Sequence, residues 1–540
     1  MKLLLLQPPI QDFYDTAIRL QPIGLAYLKA AVRHYLPQIE VIIKDYHHGW
    51  GRKTIPLPTE LEYLGEYYAY ADRSPFSTFH QYYHFGASYQ LIADEVSREQ
   101  PDLIGISSLF TPYYREVLDT AKTIKAKWNA PILVGGSHVS AVPNHLLKFA
   151  EIDYVIRGEG ERPLVEFLSA WFQQKDFDTI PNLGFKKNGQ LFLNAMMENY
   201  SLDTLPVPDF SDFALQRYQF QKKPLTIVLT SRGCPYHCSF CSVHSTFGHT
   251  YRRREVGMIV AEIEQRYDQG YRVFDFEDDS LTFRQDEMKD ICRRLIKRFS
   301  PGDIICTAMN GIYYLDLDRE LLQLMRQAGF LDLNISLVSL DTLILAEQRR
   351  AKATKKYMEI VRMAAELGFN IVSYQILGLP EDTIDSMVQT IICNAHLPVL
   401  LGMSPFYLTP GMPIAEKFPP LTPAEMVCSR LTALGYAGTA HNRDDLYTLL
   451  IAARIINFLK RLEFDETQLS LNELVDRLKN MSGRTGTAMM LLNKLHHEGI
   501  LYSDTVTGLK PLKRFQHALF FDLWTKLEYI ITRSGHRIVL

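Results

Sequence analysis

Short apolar runs separated by helix-length segments recur along this chain in two series, and no other feature limits its possible folds as much. The first series lies within residues 1–165 and reads KLLLLQPP, EVIIKDY, DLIGISS, PILVGGS and DYVIRGEGE. The runs show little polar alternation, as strands buried on both faces do, and each ends in Gly, Pro, Ser or an acid where a loop begins. A doubly wound parallel α/β sheet is predicted for residues 1–200. In such a sheet a ligand sits outside the carboxyl ends of the strands, which places Pro8, Pro9, Ser107, Ser108, Gly135, Gly136, Ser137, Gly158 and Glu159 around one crevice. Small residues there admit a bulky ligand, although tight strand-to-helix turns use the same residue types.

The second series follows a polar, Pro-punctuated linker, 201–220, containing SLDTLPVPDF. It reads LTIVLTSRG, VFDFEDD, IICTAMN, LNISLVS, IVSYQILG and VLLGMSPFYLTP. Six strands alternating with helical patterns predict a (βα)6 partial barrel over residues 221–415, with its site at the strands' C-terminal face. Residues 416–540 read as a mainly helical domain, either a winged-helix shape or, the favoured expectation, a helical cap on the barrel. The segment 47–90 is dense in aromatics, including Trp50, Tyr63, Tyr67, Tyr68, Phe76, Phe79, Tyr82, Tyr83 and Phe85. An extra packed layer is its favoured explanation and a lid the second.

Lys+Arg 58 against Asp+Glu 61 leaves a net charge of −3, so the chain has no global field for a phosphate backbone and no nucleic-acid partner is expected. No run approaches the ~20 apolar residues of a membrane span, and MKLLLLQPP stops after four leucines without a cleavage site. A cytoplasmic protein without a transmembrane segment is expected. Seven cysteines, an odd count without an export signal, favour metal or catalytic roles over disulfides.

Cys234, Cys238 and Cys241 stand in RGCPYHCSFC, directly after the first strand of the second series. Three thiolates on one tight loop can hold three irons of a four-iron four-sulfur cluster and leave the fourth iron open to a small molecule. Zinc competes, but a closed structural site wants four ligands, and His237 or His244 would have to supply the last. Gly233 and Pro235 tighten the loop, and Phe240 offers an aromatic wall beside the open iron.

Cys234, Cys238, Phe240 and Cys241 together resemble the motif of the radical S-adenosylmethionine (SAM) superfamily. GGSH at 135–138, RGEGE at 157–161, LDTLPVPD at 202–209 and FEDDSLT at 276–282 recur in this order in its branch with an N-terminal cobalamin-binding domain. The likeness covers roughly residues 1–410, and it implies a flavodoxin-like first domain of the cobalamin-binding type. It further implies that SAM chelates the open iron and is cleaved by one electron to a 5'-deoxyadenosyl radical. By the same resemblance Glu277, Asp278 and Asp279 bond the methionyl amine or the ribose, and Gly378 in ILGLP lets the adenine approach. Relatives often carry Gly-Ile-Glu-Ser in the fourth strand, whereas ISLVS puts Val338 where the acid stands, which reroutes a polar contact through Ser336 or Ser339.

No cysteine precedes Cys234, so the second cluster of the methylthiotransferases is not expected. DYHHGWG, with Asp45 and His47, is a poor match to the axial-histidine string of methionine synthase, so the resemblance favours a cobalamin without a histidine on its lower face. His138 is a candidate contact to the corrin side chains or nucleotide tail. Arg252, Arg253 and Arg254 are either a solvated charge run at the start of a helix or a dock for a flavodoxin or ferredoxin electron donor.

The implied function is a cobalamin-dependent methylase similar to class B radical SAM methylases, acting on an unactivated carbon of a small molecule or peptide. Two alternatives are a radical cyclisation or rearrangement, as in relatives resembling magnesium-protoporphyrin ester cyclase, and a nonenzymatic iron–sulfur regulator. No side chain is assigned a catalytic acid–base role.

Overall fold

The computed structural model describes residues 1–16, 21–436 and 438–540. The five runs of the first series form parallel strands β1 (Lys2–Gln7), β2 (Glu40–Asp45), β3 (Leu103–Ser107), β4 (Ile132–Gly135) and β5 (Tyr154–Ile156). Their spatial order is β2-β1-β3-β4-β5, the 2-1-3-4-5 order of flavodoxin-like sheets, with the switch point between β1 and β3. Antiparallel β6 (Leu183–Lys187) and β7 (Gln190–Leu193) extend the edge beyond β5. Leu3 and Leu5 pack with α1 (Ile23–Tyr35) and helix Glu161–Phe172 on one face, while Leu4 and Leu6 pack with helices Tyr89–Glu99 and Tyr114–Lys125 on the other. Both faces are dry, which is why four leucines stand in a row.

The aromatic insertion is a packed layer. Its strand Tyr82–Phe85 pairs with Ile10–Asp12 on one side and Arg52–Ile55 on the other, and Leu61, Leu64, Tyr68 and Phe76 join a core shared with the C-terminal helices. Tyr63 and Tyr68 donate hydroxyl hydrogens to the carbonyls of Ala433 and Thr432, at 2.7 and 2.8 Å.

The second series forms β8 (Lys223–Val228), β9 (Val273–Phe276), β10 (Ile305–Thr307), β11 (Asp332–Val338), β12 (Asn370–Leu377) and β13 (Leu400–Pro405). β8-β9-β10 and β11-β12-β13 are two parallel sheets, joined by single bridges at Cys306–Phe330 and Ile312–Ile335 into one curled wall. Phe274, Phe276 and Cys306 point outward into the helical layer with Met288, Ile291 and Leu322.

Beyond the barrel, helix Arg443–Lys460 buries most of its surface. Strand Gln468–Ser470, helices Leu471–Leu478 and Gly483–Glu498, and hairpin Tyr502–Thr505/Gly508–Pro511 follow in the chain order of a winged helix. The hairpin packs on the insertion, where the Asp504 backbone N–H donates to Asp72 and Arg73 donates to the Asp504 carboxylate. Among the described residues no helix is long and apolar enough to cross a membrane.

Candidate active site

The cysteine loop leaves the C-terminal end of β8, at the mouth of the curled wall. Gly233 has φ +79°, and a Cβ there would come within 2.6 Å of the Thr250 carbonyl, so the turn requires glycine. Ser231–Arg232 pair with Arg252–Arg253 and close the loop at its base. The Cys241 N–H donates to the Cys238 carbonyl at 3.2 Å, folding the cysteines around one tight turn. Burial first, and the neighbouring thiols with it, push the Cys234 thiol up to about 11 and Cys241 to about 12. Metal-free, these thiols keep their protons, which bound iron would displace.

The acids at the end of β9 brace this loop. Asp278, 3% exposed, accepts from the Thr230 hydroxyl at 2.7 Å, from the Thr230 N–H and from the Ser231 hydroxyl. Asp279 accepts from the Gly233 N–H at 3.1 Å, and burial pushes its carboxyl up to about 6. The Glu277 N–H donates to the Val228 carbonyl. Asp278 is therefore a strut under the loop, with both oxygens engaged by its backbone and hydroxyls, rather than a group turned toward a ligand.

Phe240 packs with Val338, Leu379, Phe406 and Ile414 along the barrel mouth. Ser336 lies at the site and Ser339 does not: the Ser339 hydroxyl accepts from the Asp341 N–H at a helix start. Arg350, which sequence reasoning missed, donates to the Ser336 carbonyl at 2.8 Å, points Nη1 at the Cys238 sulfur at 3.7 Å and lies 3.9 Å over the Tyr313 ring. Gly378, at φ +77°, faces the C-terminal segment: a Cβ there would meet His441 Nε2 and the Leu446 methyls at 2.9 Å. Its freedom accommodates that segment, not an open approach to the barrel mouth.

The crevice of the first sheet faces the cysteine loop. Short helices α2 (Ser137–Ala141) and α3 (His244–Phe247) lie against each other. A Cβ on Gly158 would meet the Thr246 carbonyl at 3.2 Å, and one on Gly411 would meet both Ser245 and Ala141. Pro8, Pro9, Ser107, Ser108, Gly135, Gly136 and Ser137 gather at the strand ends. Gly136 has φ +125°, with room for no Cβ because the Ser108 carbonyl would stand 2.4 Å away. The Ser108 hydroxyl is buried with no hydrogen-bond partner among the described residues, and Phe110 beside it is 61% exposed.

Two crevice expectations are corrected. His138 is 1% exposed, with Nδ1 bonded to the Thr111 hydroxyl at 3.1 Å and Nε2 to His145 at 3.0 Å, so neither nitrogen is left for a corrin. Glu159 does not line open space either. It binds Arg232 at 2.7 Å and Arg252 at 2.9 Å across the domain boundary. His47 and His48 are likewise engaged, by Asp15 and by the Arg217 carbonyl.

The radical SAM superfamily model matches residues 228–392, and the B12 binding domain model matches residues 81–168. A B12 binding domain and a radical SAM domain thus stand in one chain. An uncharacterised methyltransferase of Pyrococcus horikoshii is 25% identical over 400 residues, 72% of this chain and 77% of that protein. Cytidylyl-2-hydroxyethylphosphonate methyltransferase of Streptomyces wedmorensis is 23% identical over 416 residues, 70% and 73% of the two chains. The fold is similar to that of the radical SAM methyltransferase TsrM from Kitasatospora setae (TM-score 0.59, 18% identity, 77% of each chain). It is also similar to the cobalamin-dependent radical enzyme OxsB (TM-score 0.62, 14% identity, 92% of this chain and 71% of that one).

In this radical SAM enzyme the arginine run is neither solvated nor free to dock a partner. Arg252 holds Glu159 and the Tyr200 carbonyl, Arg253 the carbonyls of Leu281 and Arg284, and Arg254 binds Glu262 at 2.6 Å. His237, His244 and His249 stack beside the loop, and both ring nitrogens of His244 are bonded to the Tyr236 and Gly248 carbonyls, which leaves neither for a fourth ligand to the cysteines. The donor set of three free thiols on one turn fits an iron–sulfur cluster. The glycine cradle at Gly136 and the unpartnered Ser108 hydroxyl fit a bulky ligand with hydrogen-bonding edges.

Proposed function

We propose that this enzyme methylates an unactivated carbon, using a 4Fe–4S cluster held by Cys234, Cys238 and Cys241, SAM, and cobalamin in the N-terminal crevice. One observation supports the reading: α2, which follows the glycine crevice, packs on α3, which follows the cysteine loop, so the two proposed cofactor sites are neighbours. When bound, the cluster supplies one-electron cleavage of SAM, and cobalamin supplies a methyl carrier.

The chain's residues do the positioning. Asp278 and Asp279 hold the Thr230–Gly233 segment, so the loop keeps its shape whether or not its thiols are ligated. Arg350 sets a cation beside Cys238 and ties it to Ser336 on β11. Phe240 and its apolar neighbours exclude water from the barrel mouth. Because both ring nitrogens of His138 are engaged within the fold, it is not offered as an axial ligand.

The test is anaerobic reconstitution with iron, sulfide and hydroxocobalamin, then reduction with SAM and mass analysis of the nucleosides. Cobalamin uptake with both 5'-deoxyadenosine and S-adenosylhomocysteine is expected, and Cys238→Ala should abolish the first product. 5'-Deoxyadenosine without bound cobalamin would end the methyl-carrier reading. Similarity to the anaerobic magnesium-protoporphyrin IX monomethyl ester cyclase of Cereibacter sphaeroides, 24% identical over 313 residues, supports a ring-closing second reading. A product gaining no methylene mass would select it. A reduced flavodoxin or ferredoxin is the proposed electron source.

A further inference from the structure

We propose that the Arg-Gly-Glu-Gly-Glu turn after β5 is an interdomain clamp, whose two glutamates grip the base of the cysteine loop and set its distance from the corrin crevice. This inference rests on the proposed use of cobalamin.

Arg232 lies two residues before Cys234. Its Nη1 donates to Glu159 at 2.7 Å and its Nη2 to Glu161 at 2.5 Å, so one guanidinium spans both carboxylates of the turn. The second oxygen of Glu159 takes Arg252 at 2.9 Å, and the second oxygen of Glu161 accepts from the Tyr200 hydroxyl at 3.1 Å. Arg232 and Arg252 are paired across the short ladder that closes the loop, so Glu159 holds both of its strands. The rings of Tyr27 and Phe247 flank Arg232 at 5.0 and 5.9 Å, one from α1 and the other from α3.

Two carboxylates and two guanidiniums, none more than 11% exposed, balance in charge. Such a buried set adds little stability over apolar residues of the same volume, because desolvation offsets the attraction. Its bidentate geometry does fix relative position, and an arginine fork transmits that geometry where a lysine would not. Gly158, one residue before the clamp, abuts Thr246 on α3, so a displacement of the turn moves the cysteine loop relative to Gly135–Ser137. The carbon, cobalt and sulfonium centres of a methyl transfer tolerate little error in spacing, and a misplacement of ~1 Å costs about a hundredfold in rate.

The decisive measurement is electron paramagnetic resonance of the fully loaded enzyme with the cluster reduced and the cobalamin at cob(II), where coupling between the two spins reports their separation. The unmodified enzyme should give a coupled spectrum. Arg232→Met should give the sum of two isolated spectra, bind cobalamin within about threefold of normal, and lower the ratio of S-adenosylhomocysteine to 5'-deoxyadenosine by about a hundredfold. Glu161→Gln, which keeps a hydrogen bond, serves where Arg232→Met does not fold and should shift the coupling in part. Normal coupling and product ratio in both Arg232→Met and Glu161→Gln would overturn the clamp. So would a more than tenfold loss of cobalamin affinity in Glu159→Gln, which would make Glu159 a corrin contact after all. An unmodified chain that takes up no cobalamin overturns the functional reading, and the clamp with it.

Discussion

Gly136 shows how much one backbone position decides. At φ +125°, with the Ser108 carbonyl 2.4 Å from where a Cβ would sit, Gly136→Ala requires a backbone shift of a kind that costs ~1–3 kcal/mol. Cobalamin uptake should fall about tenfold or more, with the iron content of the cluster unchanged. Equal losses of both would point to global damage. His138 carries a pH dependence. Burial pushes its imidazole down to about 3, and burial followed by Lys148 pushes His145 down to about 4, so the folded chain holds both neutral. The unfolded chain protonates them near pH 6.5, so their contribution is complete above about pH 6.5 and is lost as the pH falls toward 3 to 4. The urea midpoint should decline on acidification from pH 7 to 4.5, less steeply in His138→Gln. Identical slopes would remove the pair from the explanation.

At the scale of elements, β11 and β12 end in special backbone. The register of β11 shifts between Ser336 and Val338, and Val338, a buried β-branched residue, sits at φ +74°. This strain lies at the barrel mouth, and it turns Ser336 toward Arg350 while the Ser339 hydroxyl accepts from the N–H of Asp341, the cap of the next helix. At the end of β12, Gly378→Ala should lower the melting temperature by several degrees, because its Cβ collides with His441 and Leu446. SAM affinity of the folded variant should stay within about threefold. A selective loss of SAM binding at unchanged melting temperature would restore the adenine contact that the glycine's position in ILGLP implies. The strands themselves were legible because strands buried on both faces leave continuous apolar runs. The destination of a strand-end glycine was not, since the partner that approaches it lies more than sixty residues onward.

At the scale of the molecule, the C-terminal segment is fastened to the first domain by Arg430. It donates to the Gln11 and Pro112 carbonyls and faces Asp12, which also accepts from the Tyr113 and Thr432 hydroxyls. Arg430→Met leaves a buried carboxylate without its cation, a change worth ~3–5 kcal/mol. The expected result is a split of a single urea transition into two by fluorescence, the C-terminal segment leaving first. One unshifted transition would show that the aromatic layer alone holds the parts together. Nothing local marks Arg430, an isolated cation in an irregular segment.

What the sequence determined by itself was whatever chemistry writes into neighbouring residues. The three-cysteine turn, the strand runs of both α/β units and the glycines at their carboxyl ends are all local, because cluster ligation, strand burial and tight turns each constrain a few consecutive positions. Tertiary structure alone decided which charges meet. Arg232 and Glu159 are 73 residues apart, and Arg252 to Arg254 read as a solvated run because three adjacent cations normally are one. The docking of the two α/β units brings Glu159 and Glu161 to Arg232 and Arg252, while Arg253 and Arg254 find their partners inside the second unit, and a carboxylate brought from elsewhere in the chain has no periodicity by which it could be foreseen.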